Sequence, residues 1–211
     1  MVIGSPSLLG ISDSSFTLSI WSKQVEVSSS KYQAILFGVD GPWRLQESLE
    51  AYIAGPDLWL KPQGRISFGF YGACSKGCCG PADTIVLLGV WNHFAFVYDR
   101  AQSTQRIFLN GKQIAESQTR QPFIGSGNLL LGKMPGRTQT DGKALMQETR
   151  VFSVSLTQQQ LKTTMCASTI NAHIESLAYR STCGVAQATC GNKNGDVAIA
   201  QTPGKVPVGP G

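Results

Sequence analysis

The sequence carries little charge and no long apolar run. Only 15% of its 211 residues are Asp, Glu, Lys or Arg, against about 25% in an average globular protein, which excludes a charge-driven disordered chain and a charged coiled coil. The 18 basic residues exceed the 13 acidic ones, but no three basic residues are consecutive, which argues against nucleic-acid binding. No apolar stretch approaches the roughly 18 residues of a membrane span.

The residue patterns of common hydrolases are also missing. Retaining glycoside hydrolases need two carboxylates about 5–5.5 Å apart, which alternating acidic positions on one strand supply, and no such run exists. Glu47 and Glu50 are the only close acidic pair; on a strand they face opposite sides, and we expect both to be solvated. Nucleophile-elbow, phosphate-loop and zinc-protease motifs are absent. The sequence therefore predicts that the protein is not an enzyme.

The six cysteines need a separate explanation. An even number of cysteines in loops rich in Gly, Ser and Thr predicts disulfides and a secreted or cell-surface protein. A zinc site and free cytosolic thiols are the alternatives, and the sequence does not choose among the possible pairings. The N-terminus lacks signal-peptide features, so we interpret the chain as a mature or excised piece of a longer protein. The cysteines are Cys74, Cys78, Cys79, Cys166, Cys183 and Cys190.

Short strand-like segments separated by turn residues dominate the chain. Phe16, Leu18 and Ile20 alternate with polar residues, as in a half-buried antiparallel strand. Asn110-Gly111 predicts a tight hairpin turn, because both residues tolerate positive φ. Strands are predicted at 16–22, 34–39, 43–54, 65–71, 84–90, 93–98, 106–109, 113–117, 128–132 and 145–153. This pattern predicts an all-β jelly-roll sandwich of two antiparallel sheets.

One short helix and a tail complete the predicted organisation. Thr157 is a suitable N-cap for a helix over residues 158–165. Beyond it, large apolar residues become rare, and the chain ends in a Pro/Gly-rich stretch. We therefore divide the chain into a jelly-roll domain at 1–165 and a cysteine-containing extension at 166–211 that ends in a linker. Disulfides are expected to pin the first part of this tail to the sandwich.

Four segments of the first 165 residues carry recognisable motifs. They are FTLSIW at 16–21, WNHFAFVYD at 91–99, RIFLNGK at 106–112, and ETRVF at 148–152 followed by Leu156-Thr157. In this order and spacing they resemble the laminin G-like, concanavalin A-like lectin/glucanase jelly-roll superfamily over about residues 8–165. The resemblance implies the jelly-roll fold. The superfamily includes laminarinase-type hydrolases, but the missing carboxylate run places this chain with the non-catalytic branch.

Calcium and glycans are the ligands that the resemblance implies. Calcium needs several oxygen ligands, usually with more than one carboxylate, and Asp99 and Asp141 are our candidates. The closing motif has Gln147 where relatives usually have Asp, so a charged oxygen is lost there if that position served a metal. Trp43 and Trp59, in turn-flanked segments, are candidates for an aromatic platform that binds sugar. Packing in the core or at a sheet edge is the alternative for both.

These observations predict a non-catalytic extracellular binding or adhesion module that recognises a glycan or a matrix or surface protein. The first alternative is a structural subunit or repeat of an extracellular fibre or surface coat, which implies self-association. The second is a divergent glycoside hydrolase. No nucleic acid and no membrane span are expected, and calcium is the one cofactor considered.

Overall fold

The computed structural model describes residues 1–26, 33–39, 49–54, 66–70, 78–79, 86, 89–119, 121–132, 143–166 and 177–181. For 26, 33–35, 54, 78–79, 143 and 177–181 it describes the backbone alone. The described residues form twelve strands and one helix: β1 (Val2–Gly4), β2 (Phe16–Glu26), β3 (Gln33–Val39), β4 (Leu49–Ala54), β5 (Ile66–Phe70), β6 (Cys78–Cys79), β7 (Trp91–Asp99), β8 (Thr104–Leu109), β9 (Lys112–Gln118), β10 (Leu129–Leu131), β11 (Lys143–Phe152), α1 (Gln158–Met165) and β12 (Leu177–Ser181).

The strands pair into two six-stranded antiparallel sheets. Sheet A has the order β1-β10-β3-β4-β5-β6, and sheet B has the order β12-β11-β2-β7-β8-β9. Strands that are distant in sequence, such as β2 and β11, lie side by side, so most of the sandwich is held by long-range pairing. This architecture confirms the all-β jelly-roll prediction.

The core lies between the two sheets and is built from alternating apolar residues. Phe16, Leu18 and Ile20 of β2 are all fully buried, as their alternation predicts. Aromatic rings join the sheets across the core: the ring centroids of Phe68 in sheet A and Phe96 in sheet B are 5.4 Å apart. Since successive strand residues face opposite sides, each sheet also has an outer face, and these two faces differ.

Helix α1 covers part of the outer face of sheet B. Thr157 caps it as predicted, in a reciprocal capping box: Thr157 Oγ1 accepts from the Gln160 N–H at 3.3 Å, and Gln160 Oε1 accepts from the Thr157 N–H at 2.8 Å. Leu161 packs with Phe108 and Phe152 of the sheet in a second apolar cluster. The cap thus starts the helix, and its three buried residues, Leu161, Thr164 and Met165, hold it on the sheet.

The hairpin between β8 and β9 supports the other end of the helix. Asn110 and Gly111 have φ values of 51° and 74°, the positive values that a tight hairpin turn requires. Asn110 makes three hydrogen bonds to β7: its N–H donates to the His93 carbonyl at 2.8 Å, its Oδ1 accepts from the His93 N–H at 2.9 Å, and its Nδ2 donates to Asn92 Oδ1 at 3.0 Å. The predicted turn is confirmed, and it lies directly beneath α1.

Substituting Gly111 by alanine is expected to cost more than substituting Gly89, although both have φ of 74°. A Cβ at Gly111 would lie 3.0 Å from Lys162 Cγ and 3.3 Å from Met165 Sδ, whereas a Cβ at Gly89 would meet nothing within 4 Å. We expect Gly89→Ala to lower the free energy of unfolding by about 1 kcal/mol and Gly111→Ala by about 2–3 kcal/mol. Chemical denaturation measures both; equal losses would mean that the helix does not press on this turn.

Several element predictions need correction. Residues 84–90 are predicted as a strand, but Val86, Gly89 and Val90, the described residues of that segment, are not in one. The predicted strand over 43–54 is seen from Leu49, and 43–48 lies outside the described residues. Strands β1, β6 and β12 are not predicted, since they are short and lack alternation. Because β12 pairs with β11, sheet B extends past residue 165; the division into domain and extension stays a prediction.

Candidate functional site

The outer face of sheet B carries polar side chains that are buried beneath the end of α1. Trp21 Nε1 donates to the Met165 carbonyl at 3.0 Å, and Arg150 Nη1 donates to the Thr164 carbonyl. Carbonyls of the last helical turn have no donor within the helix, and a cation beside them is favoured by the helix dipole. These two contacts, the helix anchor, attach α1 to β2 and β11.

His93 lies beside the helix anchor and is 2% exposed. Its ring centroid is 5.3 Å from that of Trp21, and its Nδ1 has no hydrogen-bond partner among the described residues. Burial, and secondarily the charge of Arg150, lower the pKa of His93 from 6.5 to about 3. His93 is therefore neutral in the folded protein, and a ligand in solution cannot reach it.

Glu148 completes this cluster. Its Oε2 accepts from Arg150 Nη2 at 2.9 Å, and the two side chains are 14% and 3% exposed. Glu148 has φ of 50° and lies where the register between β11 and β2 shifts, between Gln147 and Arg150. Arg150 thus holds the helix on the sheet, Glu148 pairs with Arg150, and His93 packs against Trp21 of the helix anchor.

The outer face of sheet A has a different character, and no helix among the described residues covers it. Along β4, Leu49, Ala51 and Ile53 are buried in the core, so Glu50 and Tyr52 between them lie on the outer face. Both side chains are half-buried. Each also makes a further contact, which restrains it. The sequence analysis missed Tyr52 and treated Glu50 as a solvated residue; the alternation along 49–53 is the signal that identifies their common face.

The strand register shows what surrounds these two side chains. Ser67 of β5 pairs with Tyr52, while Gly69 of β5 and Gly38 of β3 pair with Glu50 on its two sides. Neither glycine has a side chain, so the carboxylate has no flanking side chain in its own row. Glu50 and Tyr52 are two residues apart, or about 7 Å. A carboxylate acceptor and an aromatic ring together suit a ligand with many hydroxyl groups, whereas Ser67 is buried.

The predicted sugar-binding tryptophans lie outside the described residues. Trp43 is in the segment that connects β3 to β4, and Trp59 is in the segment that connects β4 to β5. Both segments therefore join the strand that carries Glu50 and Tyr52. Their role in binding stays a prediction.

Of the two calcium candidates, Asp99 is the last residue of β7 and lies beside the start of β2. Asp141 lies outside the described residues. Among the described residues no three His, Cys, Asp or Glu side chains form a metal-binding group. Calcium at either position stays a prediction.

Asp99 has a structural role in the turn between β7 and β8. Its Oδ1 accepts from the Gln102 N–H at 3.1 Å, and its Oδ2 accepts from Ser155 Oγ at 3.4 Å. The carboxylate therefore caps the turn between β7 and β8 and links it to the segment that precedes α1. Short polar side chains such as Asp commonly cap turns in this way, by accepting from backbone N–H groups nearby in sequence.

The cysteines are only partly described. Cys78 and Cys79 form β6 at the edge of sheet A, and Cys166, the C-cap residue of α1, is disulfide-bonded. Cys74, Cys183 and Cys190 lie outside the described residues. The pairing of the six cysteines stays a prediction.

The fold and its two outer faces define a jelly-roll β-sandwich module with one helix-covered sheet and one sheet that presents polar and aromatic side chains. The family model of the concanavalin A-like lectin/glucanases superfamily, a laminin G model, matches residues 3–162. The chain belongs to this superfamily, as its motifs predict. No curated protein sequence matches it.

Solved structures share the fold at low sequence identity. A Bacteroides ovatus protein described as a candidate carbohydrate-binding protein is 20% identical with a TM-score of 0.60, over 80% of this chain and 45% of its own. The CBM40 module of a Ruminococcus gnavus IT-sialidase, solved with α2,3-sialyllactose, is 18% identical with a TM-score of 0.52, over 76% of this chain and 93% of its own. The NanB sialidase of Streptococcus pneumoniae is 19% identical with a TM-score of 0.55, over 77% and 26%.

This chain thus spans less than half the length of two of these three proteins. In the described part of the chain, no helix is long and apolar enough to cross a membrane.

Proposed function

We propose that this protein is a non-catalytic, extracellular glycan-binding module, and that it binds its ligand on the outer face of sheet A. The observation that carries the proposal is the pair Glu50 and Tyr52 on this face. A ring that stacks on a sugar and a carboxylate that accepts from sugar hydroxyls are the two kinds of group that such recognition uses. The resemblance of the fold to CBM40 and to the Bacteroides ovatus protein supports the same function.

The tryptophans add to the proposed site. Trp43 and Trp59 lie in the two segments that join β4 to its neighbours along the chain, so both are close in sequence to the strand that carries Tyr52. We propose that at least one of them extends the aromatic surface. Replacing each by alanine tests this, because a residue that packs elsewhere leaves glycan affinity unchanged.

A non-catalytic role is supported by the carboxylates of the site. Glycoside hydrolysis uses two carboxyl groups, about 5–5.5 Å apart for retention or about 6.5–9.5 Å for inversion. The six strands of sheet A contain a single acidic residue, Glu50. Incubation of the full chain with the oligosaccharides it binds, followed by product analysis, tests this part of the proposal: turnover that Glu50→Gln abolishes would replace it with the hydrolase alternative.

An extracellular location is supported by the disulfide at Cys166, because such bonds persist in oxidising compartments. Mass spectrometry of the native protein under non-reducing conditions tests it. Six free thiols in native material would contradict both the disulfide framework and the proposed location. Self-association stays a prediction. Sedimentation of the same material measures the oligomeric state directly.

Tyr52→Ala is expected to weaken glycan binding at least about tenfold, because it removes the aromatic platform and its apolar area. The measurement is a screen of the wild-type chain on a glycan array, followed by titration calorimetry of wild type and variant with the best ligand. Thermal unfolding shows that the variant is folded.

Leu145→Ala is the matched control for Tyr52→Ala. Leu145 is 53% exposed on β11 of sheet B, so the variant removes a comparable apolar group from the opposite sheet. Its affinity is expected to equal that of the wild type. If both variants bind as the wild type does, the site is not on the outer face of sheet A.

A further inference from the structure

Helix α1 stops short of one end of sheet B. Trp21 and His93, which pair across β2 and β7, are each 2% exposed beneath the end of the helix. In the next row along these strands, Lys23 pairs with Trp91 on one side and with Leu145 on the other. This row lies on the same outer face, because every second residue of a strand returns to it. Lys23 and Trp91 are half-buried and Leu145 is 53% exposed, so a ligand can reach this part of the face.

The polar groups of Trp91 and Lys23 have no partner in the described part of the chain. Trp21 Nε1 donates to the Met165 carbonyl, whereas neither the indole N–H of Trp91 nor the ammonium of Lys23 makes a hydrogen bond or an ion pair there. Val25, two positions beyond Lys23 on the same face, is 52% exposed. Trp91 and Lys23, the Trp91–Lys23 pair, therefore offer an aromatic ring and two donor groups to a ligand from solution.

The geometry of the Trp91–Lys23 pair favours an acidic sugar. Side chains that pair directly across antiparallel strands have Cβ atoms about 4.5–5.5 Å apart, so the ring and the ammonium can contact one small ligand together. An aromatic ring stacks on the apolar face of a sugar, and an ammonium donates to a carboxylate or a sulfate. An acidic sugar carries both features within one sugar unit. The formal charge of +5 adds a general attraction for anions.

We infer that the Trp91–Lys23 pair is a second ligand site, which binds an acidic glycan with a sugar ring on Trp91 and its carboxylate or sulfate at Lys23. The site lies on sheet B, whereas Glu50 and Tyr52 lie on sheet A, so it goes beyond the proposed function and does not depend on it. Leu145 is outside the proposed contacts, because it lies on the far side of Lys23, about 10 Å from Trp91 across two strand spacings. It therefore remains a suitable control for the site on sheet A.

The test is titration calorimetry of the full chain with lactose, sialyllactose and lactose sulfate, at low and physiological salt. We expect Lys23→Gln to weaken binding of the two acidic ligands at least about fivefold at low salt and less at physiological salt, while Lys23→Arg keeps it. Trp91→Ala is expected to weaken both acidic ligands at least about tenfold. Lys112→Gln is the matched control, since Lys112 is exposed on β9 of the same sheet, and it should change neither affinity. Thermal unfolding shows that each variant is folded.

The outcomes separate this inference from the proposed function. Binding of the acidic ligands that Lys23→Gln and Trp91→Ala weaken, but Tyr52→Ala does not, supports the inference. Binding that only Tyr52→Ala weakens would overturn it and assign acidic glycans to sheet A. A pentaglutamate peptide that binds as tightly as sialyllactose would also overturn it, in favour of an acidic peptide. If neither acidic ligand binds, the inference is wrong, whereas the site on sheet A still has its own test in Tyr52→Ala.

Discussion

Replacing Arg150 by methionine is expected to lower the free energy of unfolding by about 3–5 kcal/mol. Arg150 is 2% exposed, pairs with Glu148 and donates to the helix carbonyl of Thr164. Methionine fills part of the space but removes the guanidinium that pairs with the half-buried carboxylate of Glu148. It also removes a donor from the end of α1. Urea denaturation followed by circular dichroism measures the loss.

The double variant Arg150→Met/Glu148→Gln separates the two contributions. It removes the uncompensated charge while keeping the shape of the Glu148 side chain. We expect it to be more stable than the single variant by at least about 1 kcal/mol. If Arg150→Met alone lies within about 1 kcal/mol of the wild type, the ion pair is not what holds the helix to the sheet.

Acidification is expected to destabilise the protein through His93. Its pKa is about 3 in the folded state, lowered from 6.5 by burial and then by Arg150. Between these two pH values the unfolded chain binds a proton that the folded chain does not. The contribution of His93 to the free energy of unfolding is therefore complete above pH 6.5. It falls by up to about 1.4 kcal/mol per pH unit as the pH decreases. It reaches a total loss of about 4–5 kcal/mol near pH 3.

His93→Phe is the control for this pH dependence. Phenylalanine keeps an aromatic ring against Trp21 but has no group that titrates. Carboxylates titrate in the same pH range in both proteins. The difference between the unfolding free energies of the wild type and the variant therefore isolates the contribution of His93. In denaturation at several pH values from 6.5 toward 3, the free energy of unfolding of the wild type is expected to decrease by up to about 1.4 kcal/mol per pH unit more than that of the variant. Parallel curves would show that His93 is accessible to protons in the folded state.

Strands with strict alternation were the easiest elements to predict. β2 was recognised because apolar residues recur at every second position and are the residues that fill the core. Helix α1 was placed to the residue, since its cap is formed by Thr157 and Gln160, which are close in sequence. β6 and β12 were not predicted, because their sequences lack a clear alternation and the pairing with β5 and β11 that orders them is visible only in the structure.

The candidate site was less predictable than the fold. The sequence analysis singled out tryptophans and loop acids by residue type, and it assigned Glu50 to solvent because its acidic neighbour is three positions away. Which side of a strand faces ligand depends on which side faces the core. That choice follows from the burial of Leu49, Ala51 and Ile53 against the opposite sheet, which one strand's sequence does not contain.

The sequence by itself determined the fold class, the hairpin at Asn110-Gly111, the capped helix and the superfamily, because each depends on local periodicity, backbone preference or motifs of neighbouring residues. Only the tertiary structure decided the roles of the motif residues and the face on which the site is proposed. It buried Arg150 against the end of α1 and His93 against Trp21, and it used Asp99 to cap the turn between β7 and β8. It also left Glu50 as the single charged residue in the strands of sheet A. These outcomes depend on strand order and on which face the helix covers, and both are set by contacts between distant parts of the chain.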